Sequence, residues 1–271
     1  MPTVRMNTLT VDYVEAGTGT PVVFIPGITE FREGFAFQFH GLSDSCRLIS
    51  YDLRRGLKRS TDYTLDLLIT DLKGLLRALD LDRAVISGHS FGGLVAMEFA
   101  LRHPEQTKAL ILISSYASPP AIPPDRLLAW TSSAGHPFHK SLGASFKVQI
   151  AKLLGRKTGG SLAMAHEITA VRTLAHQAAR TSKTTINQRM RIIHRTDLSD
   201  RLPELTMPTL VVAGAKDRAV FLASAQQLFE TIPNASLEVI EGGGHFCFVT
   251  RHDQFNAVVD EFLTHHLAEI L

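Results

Sequence analysis

Residues 84–93, AVISGHSFGG, place a serine between glycines at the end of an apolar run. Gly88 and Gly92 flank Ser90 in the spacing G-x-S-x-G, in which the missing side chains let the serine occupy a strained turn and project its hydroxyl outward. Residues 94–102 have a helical pattern. The segment therefore predicts a strand, a sharp turn and a helix, with the N–H groups after Ser90 facing any negative charge that develops beside it.

A serine hydroxyl is a weak nucleophile at neutral pH and needs a base that a carboxylate orients. Of the twelve histidines, His245 directly follows the glycine run 242–244 and a predicted strand, so a loop can present its imidazole above the sheet edge. Asp217 lies in the turn after predicted strand 209–213. We expect all three side chains at the carboxyl edge of the sheet, where open α/β sheets bind ligands.

Apolar runs and helical spacing predict the elements that position these residues. The chain predicts strands at 9–15, 22–25, 46–51, before Ser90, 109–114, 209–213 and 237–240. It predicts helices at 64–81, 94–102, 222–231 and 254–267. Strands that are apolar on both faces and alternate with helices indicate an α/β fold with a mostly parallel, doubly wound sheet.

The strand rhythm is absent from residues 119–200, which we predict to be an inserted helical cap on a core formed by residues 1–118 and 201–271. The segment opens with a proline cluster and carries 12 Lys and Arg against 4 Asp and Glu, a surplus of +8. This surplus fits a solvated face, and it also fits steering of a carboxylate-bearing substrate.

Ser90 in GHSFGG, Asp217 in GAKD and His245 in GGGH, in that order and interrupted by an insertion, resemble the α/β-hydrolase superfamily. The similarity covers roughly residues 9–118 and 205–271. The resemblance implies a Ser-His-Asp catalytic triad. The end of strand 109–114, the other common place for the acid in this superfamily, carries no acidic residue.

The resemblance also implies an oxyanion hole formed by the backbone N–H groups of Ile28 and Phe91. The superfamily often has His-Gly after the corresponding strand, whereas this chain has Pro26-Gly27. Residues 52–56, DLRRG, resemble the superfamily's D-x-R-G-x-G-x-S loop with an extra arginine, and we predict a structural role for them.

The nucleophile limits the reaction, since haloalkane dehalogenases and epoxide hydrolases of this superfamily place Asp where this chain has Ser90. Carboxylesterase or lactonase is the broadest prediction. Carbon–carbon bond hydrolase, cofactor-free perhydrolase, acyltransferase and a receptor-like binding homologue remain open alternatives. Hydrolysis through a serine nucleophile and a histidine base requires neither a metal nor an organic cofactor. Four aromatic residues are candidates to line an apolar substrate pocket: Phe31, Phe35, Trp130 and Phe138.

Composition limits the class of protein further. Hydrophobic residues at 45% and charged residues at 20% exclude disorder, and no apolar run reaches the roughly 20 residues of a membrane helix. A net charge of +2 argues against a nucleic-acid partner. The N-terminus lacks the pattern of a signal peptide, and two cysteines, Cys46 and Cys247, fit reduced thiols or one bridge. We expect a cytoplasmic monomer or homodimer that acts on a small-molecule ester or lactone.

Overall fold

The computed structural model describes residues 2–6, 9–29, 31–119 and 180–267 of the chain. Its strands are β1 (Thr3–Met6), β2 (Leu9–Ala16), β3 (Thr20–Ile25), β4 (Cys46–Tyr51), β5 (Ala84–His89), β6 (Thr107–Ile113), β7 (Thr209–Gly214) and β8 (Ala235–Ile240). Within the described residues they form one eight-stranded sheet in the order β1-β2-β4-β3-β5-β6-β7-β8.

The sheet is antiparallel only where β2 pairs with β1 and with β4. The pairs from β4 through β3, β5, β6 and β7 to β8 are parallel. Parallel strands need crossover connections, and the apolar runs of β3, β5, β6 and β7 are those of strands covered on both faces. The prediction of a mostly parallel sheet is confirmed.

Helices cover both faces of the sheet. They are α1 (Ala36–Leu42), α2 (Leu65–Ala78), α3 (Phe91–Arg102), α4 (Lys183–Arg195), α5 (Ala219–Thr231), α6 (Cys247–Thr250) and α7 (His252–Leu267). Side chains of α2, α3, α4 and α5 pack in one buried cluster, and those of α1, α6 and α7 pack in a second. The sheet is therefore doubly wound.

The predicted strands and helices are confirmed, with boundaries that shift by a few residues. Helix α3 begins at Phe91, directly after Ser90, rather than at residue 94. Helix α2 begins where the Thr64 hydroxyl accepts a hydrogen bond from the Leu67 N–H at 3.2 Å, a standard N-cap contact. The elements that the sequence pattern did not predict are β1, α1 and the short α6.

The loop after β4 is held by ion pairs on both sides. The Arg54 guanidinium donates to both carboxylate oxygens of Asp71 on α2, at 2.7 and 2.6 Å. The Asp52 carboxylate accepts from the Arg32 side chain and, at 3.0 Å, from the Arg32 N–H. These contacts agree with the structural role predicted for residues 52–56.

Part of the predicted cap, residues 120–179, lies outside the described residues. Helix α4, which falls inside the predicted cap range 119–200, packs onto the core through Ile186, Met190 and Ile193. No helix among the described residues is both long enough and apolar enough to cross a membrane. Both cysteines are buried and free rather than bridged.

Candidate active site

Ser90 occupies the turn between β5 and α3 in a backbone conformation that non-glycine residues rarely adopt, with φ at +52° and ψ at −115°. Its N–H donates to the Ile113 carbonyl at 2.8 Å, which fixes the turn against β6. A Cβ on Gly88 would run into the backbone of Gly92, and a Cβ on Gly92 would run into the Ile25 carbonyl. The two glycines thus permit the close backbone approach that this turn requires.

Asp217 and His245 follow neighbouring parallel strands, β7 and β8, and their side chains meet. The His245 Nδ1 lies 3.0 Å from Asp217 Oδ2. The Asp217 side chain is 2% exposed and the His245 side chain is 26% exposed. Because an ionised carboxylate only accepts, Nδ1 carries the proton and donates it, which puts the basic lone pair of the imidazole on Nε2.

The environment of Asp217 favours its ionised form. Burial raises the pKa of the carboxyl, but the hydrogen bond and charge of His245, the Arg218 N–H at 2.7 Å and the Ser114 hydroxyl together outweigh it. The pKa of Asp217 therefore lies below its ordinary value. An ionised carboxylate in this position stabilises a histidine that gains a proton.

His89, the residue before Ser90, links the elbow to the His245 loop. Its Nε2 lies 2.8 Å from the His245 carbonyl oxygen, and the two ring centroids are 4.8 Å apart. The structure therefore brings the loop after β5 and the loop after β8 together at the carboxyl edge of the sheet. The loop that carries Asp217 joins them through the contact with His245.

The two predicted oxyanion donors lie on adjoining segments. Ile28 is half-buried in the loop after β3, and Phe91 is fully buried at the first position of α3. The close approach of Gly92 to the end of β3 brings these segments together. Among the described residues, neither N–H donates a backbone hydrogen bond in the turns and loops, and their role as oxyanion donors stays a prediction.

Two aromatic side chains flank the Ser90 and His245 side chains. The Phe221 ring lies 4.4 Å from the His245 ring and 6.1 Å from the Tyr116 ring, centroid to centroid. Burial raises the pKa of the Tyr116 phenol well above its ordinary value, against the opposing effect of a hydrogen bond with the Ser90 side chain. Tyr116 thus contacts the elbow serine from the β6 side, as a neutral phenol.

The four aromatic residues predicted for the substrate pocket have different positions. Phe31 is buried in the loop after β3, with the Arg180 guanidinium 4.8 Å above its ring. Phe35 is fully buried and stacks between Phe24 and Phe248, so its observed contacts are core contacts. Trp130 and Phe138 lie outside the described residues.

Functional candidates that the sequence pattern missed are His89, Tyr116 and Arg189. His89 lies within the GHSFGG motif and Tyr116 lies shortly after β6, but their contacts come from segments far apart in the chain. Arg189 had a local signal, since it lies on the buried face of α4 beside Ile186 and Met190, where a charged residue needs partners. In the described part of the chain no group of three or more His, Cys, Asp and Glu side chains has a metal-binding arrangement.

A sequence model described as the alpha/beta hydrolase fold matches residues 20–251. The chain belongs to the alpha/beta hydrolase family. Polyketide synthase ThaQ of Burkholderia thailandensis is 30% identical over 93% of this chain, which spans only 12% of ThaQ. The protein named "Putative carbamate hydrolase RutD" of Caulobacter sp. (strain K31) is 28% identical over 90% of each chain.

Solved structures of alpha/beta hydrolases are similar over nearly the whole chain. Est816, described as an N-acyl homoserine lactone degrading enzyme, has a TM-score of 0.78 at 25% identity, over 96% of this chain and all of its own. The enol-lactonase of Burkholderia xenovorans LB400 has a TM-score of 0.74 at 24% identity, over 97% of this chain and all of its own. At this identity, the similarity to the enol-lactonase shows a common fold and nothing more.

Proposed function

We propose that this alpha/beta hydrolase cleaves a carboxylic ester or lactone of a small substrate through an acyl-enzyme on Ser90. The observation that carries the proposal is the 3.0 Å hydrogen bond between His245 and buried Asp217, on loops that adjoin the strained Ser90 turn. This is the arrangement that a serine nucleophile needs, since it supplies a base and a carboxylate that orients it.

In the first half of the reaction, Ser90 Oγ attacks the carbonyl carbon while His245 Nε2 takes the serine proton. Negative charge moves to the carbonyl oxygen, where the N–H groups of Ile28 and Phe91 stabilise it. The tetrahedral intermediate collapses when His245 returns the proton to the leaving alkoxide. The products of this half are the free alcohol and the acyl-enzyme. When the substrate is a lactone, the alcohol stays attached to the acyl group, so the product is a hydroxyacyl-enzyme.

In the second half, His245 takes a proton from water, and the hydroxide attacks the acyl carbonyl. Collapse of the second intermediate breaks the bond to Ser90 and returns the proton to its oxygen. The net reaction consumes one water and yields an acid and an alcohol. Asp217 remains ionised throughout and stabilises the imidazolium in both halves.

The comparisons support the hydrolase class and bear on the choice of substrate. Because Est816 is described as a lactone-degrading enzyme, lactones should be included among the substrates that are tested. Carbon–carbon bond hydrolysis, perhydrolysis and acyl transfer use the same serine and histidine, and differ in what enters and leaves the site. A receptor-like homologue would bind its ligand without turnover.

The test is hydrolysis of p-nitrophenyl esters of graded acyl length, one ester with a terminal carboxylate, and a set of N-acyl homoserine lactones. The native chain is compared with Ser90→Ala and with Ser45→Ala, which removes an exposed hydroxyl near α7 as a matched control. We expect turnover that Ser90→Ala abolishes and Ser45→Ala leaves unchanged. A fluorophosphonate probe should label Ser90 alone.

Absence of turnover and of labelling in the native chain would overturn the proposal. Turnover that survives Ser90→Ala would place the chemistry elsewhere. Labelling without ester or lactone turnover would move the search to carbon–carbon cleavage or acyl transfer. A preference for the carboxylate-bearing ester would support a steering role for the basic residues between 119 and 200.

A further inference from the structure

Arg189 on α4 is 3% exposed and donates to five oxygens on three separate segments. Its Nη1 lies 2.7 Å from the Ile28 carbonyl and 3.5 Å from the Gly27 carbonyl. Its Nη2 lies 3.4 Å from the Leu53 carbonyl and 3.3 Å from the Arg54 carbonyl. Its Nε lies 3.1 Å from the Tyr63 hydroxyl. One buried guanidinium thus holds the loop after β3 to the loop after β4.

Each of these acceptors is a carbonyl or a hydroxyl, and none is a carboxylate. Among the described residues no carboxylate pairs with this guanidinium, and a buried cation held only by neutral groups costs free energy that oriented carbonyl dipoles offset in part. A methionine or leucine at this position of α4 would fill similar space without that cost. The guanidinium instead supplies directed hydrogen bonds to the two loops, which an apolar side chain could not.

The Arg189 guanidinium can act on the Ile28 N–H through the peptide unit between Gly27 and Ile28. In a trans peptide the carbonyl oxygen of Gly27 and the N–H of Ile28 point in opposite directions from one rigid plane. Nη1 of Arg189 contacts the carbonyl oxygens on both sides of the Ile28 backbone, at 2.7 Å to Ile28 and 3.5 Å to Gly27, and together these contacts restrain the direction of the Ile28 N–H. A cationic donor also polarises the peptide, which strengthens its N–H as a hydrogen-bond donor.

The rest of the α4 segment reinforces this contact. The Thr181 hydroxyl donates to the Thr29 carbonyl at 3.3 Å, so a second bond reaches the loop after β3. The Thr185 and Gln188 side chains bind instead to the backbone of Gly56 and Leu57, in the loop after β4. Neighbouring residues of one helix thus contact different loops, which allows the two functions to be separated by substitution.

We propose that Arg189 is a positioning residue of the oxyanion hole, which orients and polarises the Ile28 N–H through the Gly27–Ile28 peptide. The inference rests on the proposed function, since it gives that N–H its role in the reaction. Arg189 does not touch the substrate. Its effect is to bias the loop toward the geometry that the transition state requires, so it alters the rate more than substrate binding.

The test compares Arg189→Met with Gln188→Ala. Gln188 is the adjacent residue, is 1% exposed, and loses two hydrogen bonds to Leu57 without affecting the loop after β3. We expect Arg189→Met to lower kcat about 10- to 100-fold, with KM within about threefold, because loss of a whole oxyanion donor costs about 10²- to 10³-fold. Gln188→Ala should lower Tm but leave kcat within about threefold.

A trifluoromethyl ketone inhibitor adds to Ser90 and forms an oxyanion there, so its Ki reports on the oxyanion hole. A residue with a purely structural role would not change this Ki. The Ki should rise by the same factor as kcat falls in Arg189→Met and stay unchanged in Gln188→Ala. Arg189→Lys should fall between native and Arg189→Met, since one ammonium keeps the charge but cannot reach all five acceptors. Should Arg189→Met fail to fold, Tyr63→Phe removes the acceptor at Nε, and a smaller fall in kcat at constant KM is expected.

Equal losses of kcat in Arg189→Met and Gln188→Ala, or a Ki that does not follow kcat, would overturn the proposal. Amide hydrogen exchange separates this failure from failure of the proposed function, because it needs no turnover. Arg189→Met should speed exchange within residues 27–31, and Gln188→Ala should not. A native chain without turnover or phosphonate labelling overturns the proposed function, whereas unchanged exchange in Arg189→Met overturns the role of Arg189.

Discussion

The Nε2 of His89 lies 2.8 Å from the backbone carbonyl oxygen of His245, across 156 residues of sequence. A carbonyl oxygen only accepts, so His89 carries a proton on Nε2 and donates it. The His89 ring is fully buried and also packs against Phe246 and Phe248, with centroids 5.2 and 4.7 Å away. The residue before the nucleophile therefore fixes the backbone of the residue proposed as the base.

Replacement of His89 by Phe should misplace His245 and leave its carbonyl without a buried donor. We expect kcat for p-nitrophenyl ester hydrolysis to fall about tenfold and the free energy of unfolding to fall by about 1–3 kcal/mol. His89→Gln is the control, because its amide offers an N–H donor at similar reach and should retain more of both quantities. Unchanged kcat in His89→Phe would contradict this role.

Asp217→Asn tests the orienting carboxylate. An amide can present its N–H to His245 Nδ1, which favours the tautomer with the proton on Nε2 and removes the base. We expect kcat/KM to fall about 10³- to 10⁴-fold, with a modest fall in Tm at pH 7 because the ionised carboxylate also contributes stability. A loss below about tenfold would contradict the proposed triad.

The lowered pKa of Asp217 also predicts how the stability difference between native protein and Asp217→Asn varies with pH. A carboxyl whose folded-state pKa lies below its unfolded value contributes stability above the unfolded value of about 3.9, and this is lost as pH falls through the folded pKa. The Asp217 contribution to the difference in unfolding free energy, measured by denaturant titrations, should therefore shrink as the pH falls below about 4. A difference that grows on acidification would contradict the assigned shift.

Gly92→Ala should destabilise the elbow even though alanine is the better helix former. The new methyl group would meet the Ile25 and Pro26 carbonyl oxygens, which are backbone atoms and cannot move away independently. We expect a loss of about 2–3 kcal/mol or more in unfolding free energy, measured by denaturant titration. Gly244→Ala is the control, since its methyl group would find only the Lys216 carbonyl at 3.9 Å. Equal losses in the two variants would refute the steric account.

The two cysteines should resist thiol reagents in the folded protein. Burial is the main factor that raises the pKa of Cys46 and raises that of Cys247 to about 12. At pH 8 a thiol with that pKa is ionised to about one part in 10⁴, and the thiolate is the reactive species. Ellman's reagent should detect neither cysteine at native conditions and both after unfolding. Rapid reaction of the native protein would show that these side chains are accessible.

The sequence predicted those features that depend on neighbouring residues. The Ser90 turn, the apolar strands and helix α2 were recognisable because glycine spacing, β-branched runs and leucines at helical spacing act within a few residues. Helix α1 was missed because it is short and its N-cap, Phe35, makes no side-chain cap hydrogen bond. Strand β1 has only four residues, too few for alternation to be distinctive.

The features that the sequence could not predict depend on contacts across the fold. The positions of the aromatic residues in the sequence did not reveal that Phe35 stacks between Phe24 and Phe248. A phenylalanine in the core and one that lines a pocket look the same in the sequence. Arg189 reaches Ile28 across 161 residues, and no local pattern specifies which carbonyls a buried guanidinium meets. The order of strands in the sheet brings such pairs together.

The parallel pairing of β5, β6, β7 and β8 also has a kinetic consequence. Each parallel pair requires its crossover to be in place, and contacts between residues far apart in sequence form slowly, since the chain must first lose the entropy of closing large loops. Ser90, Asp217 and His245 each follow a different one of these strands, so they meet only when that half of the sheet is complete. On refolding, helical circular dichroism should therefore return before ester turnover, and regained catalysis will mark the last step of assembly.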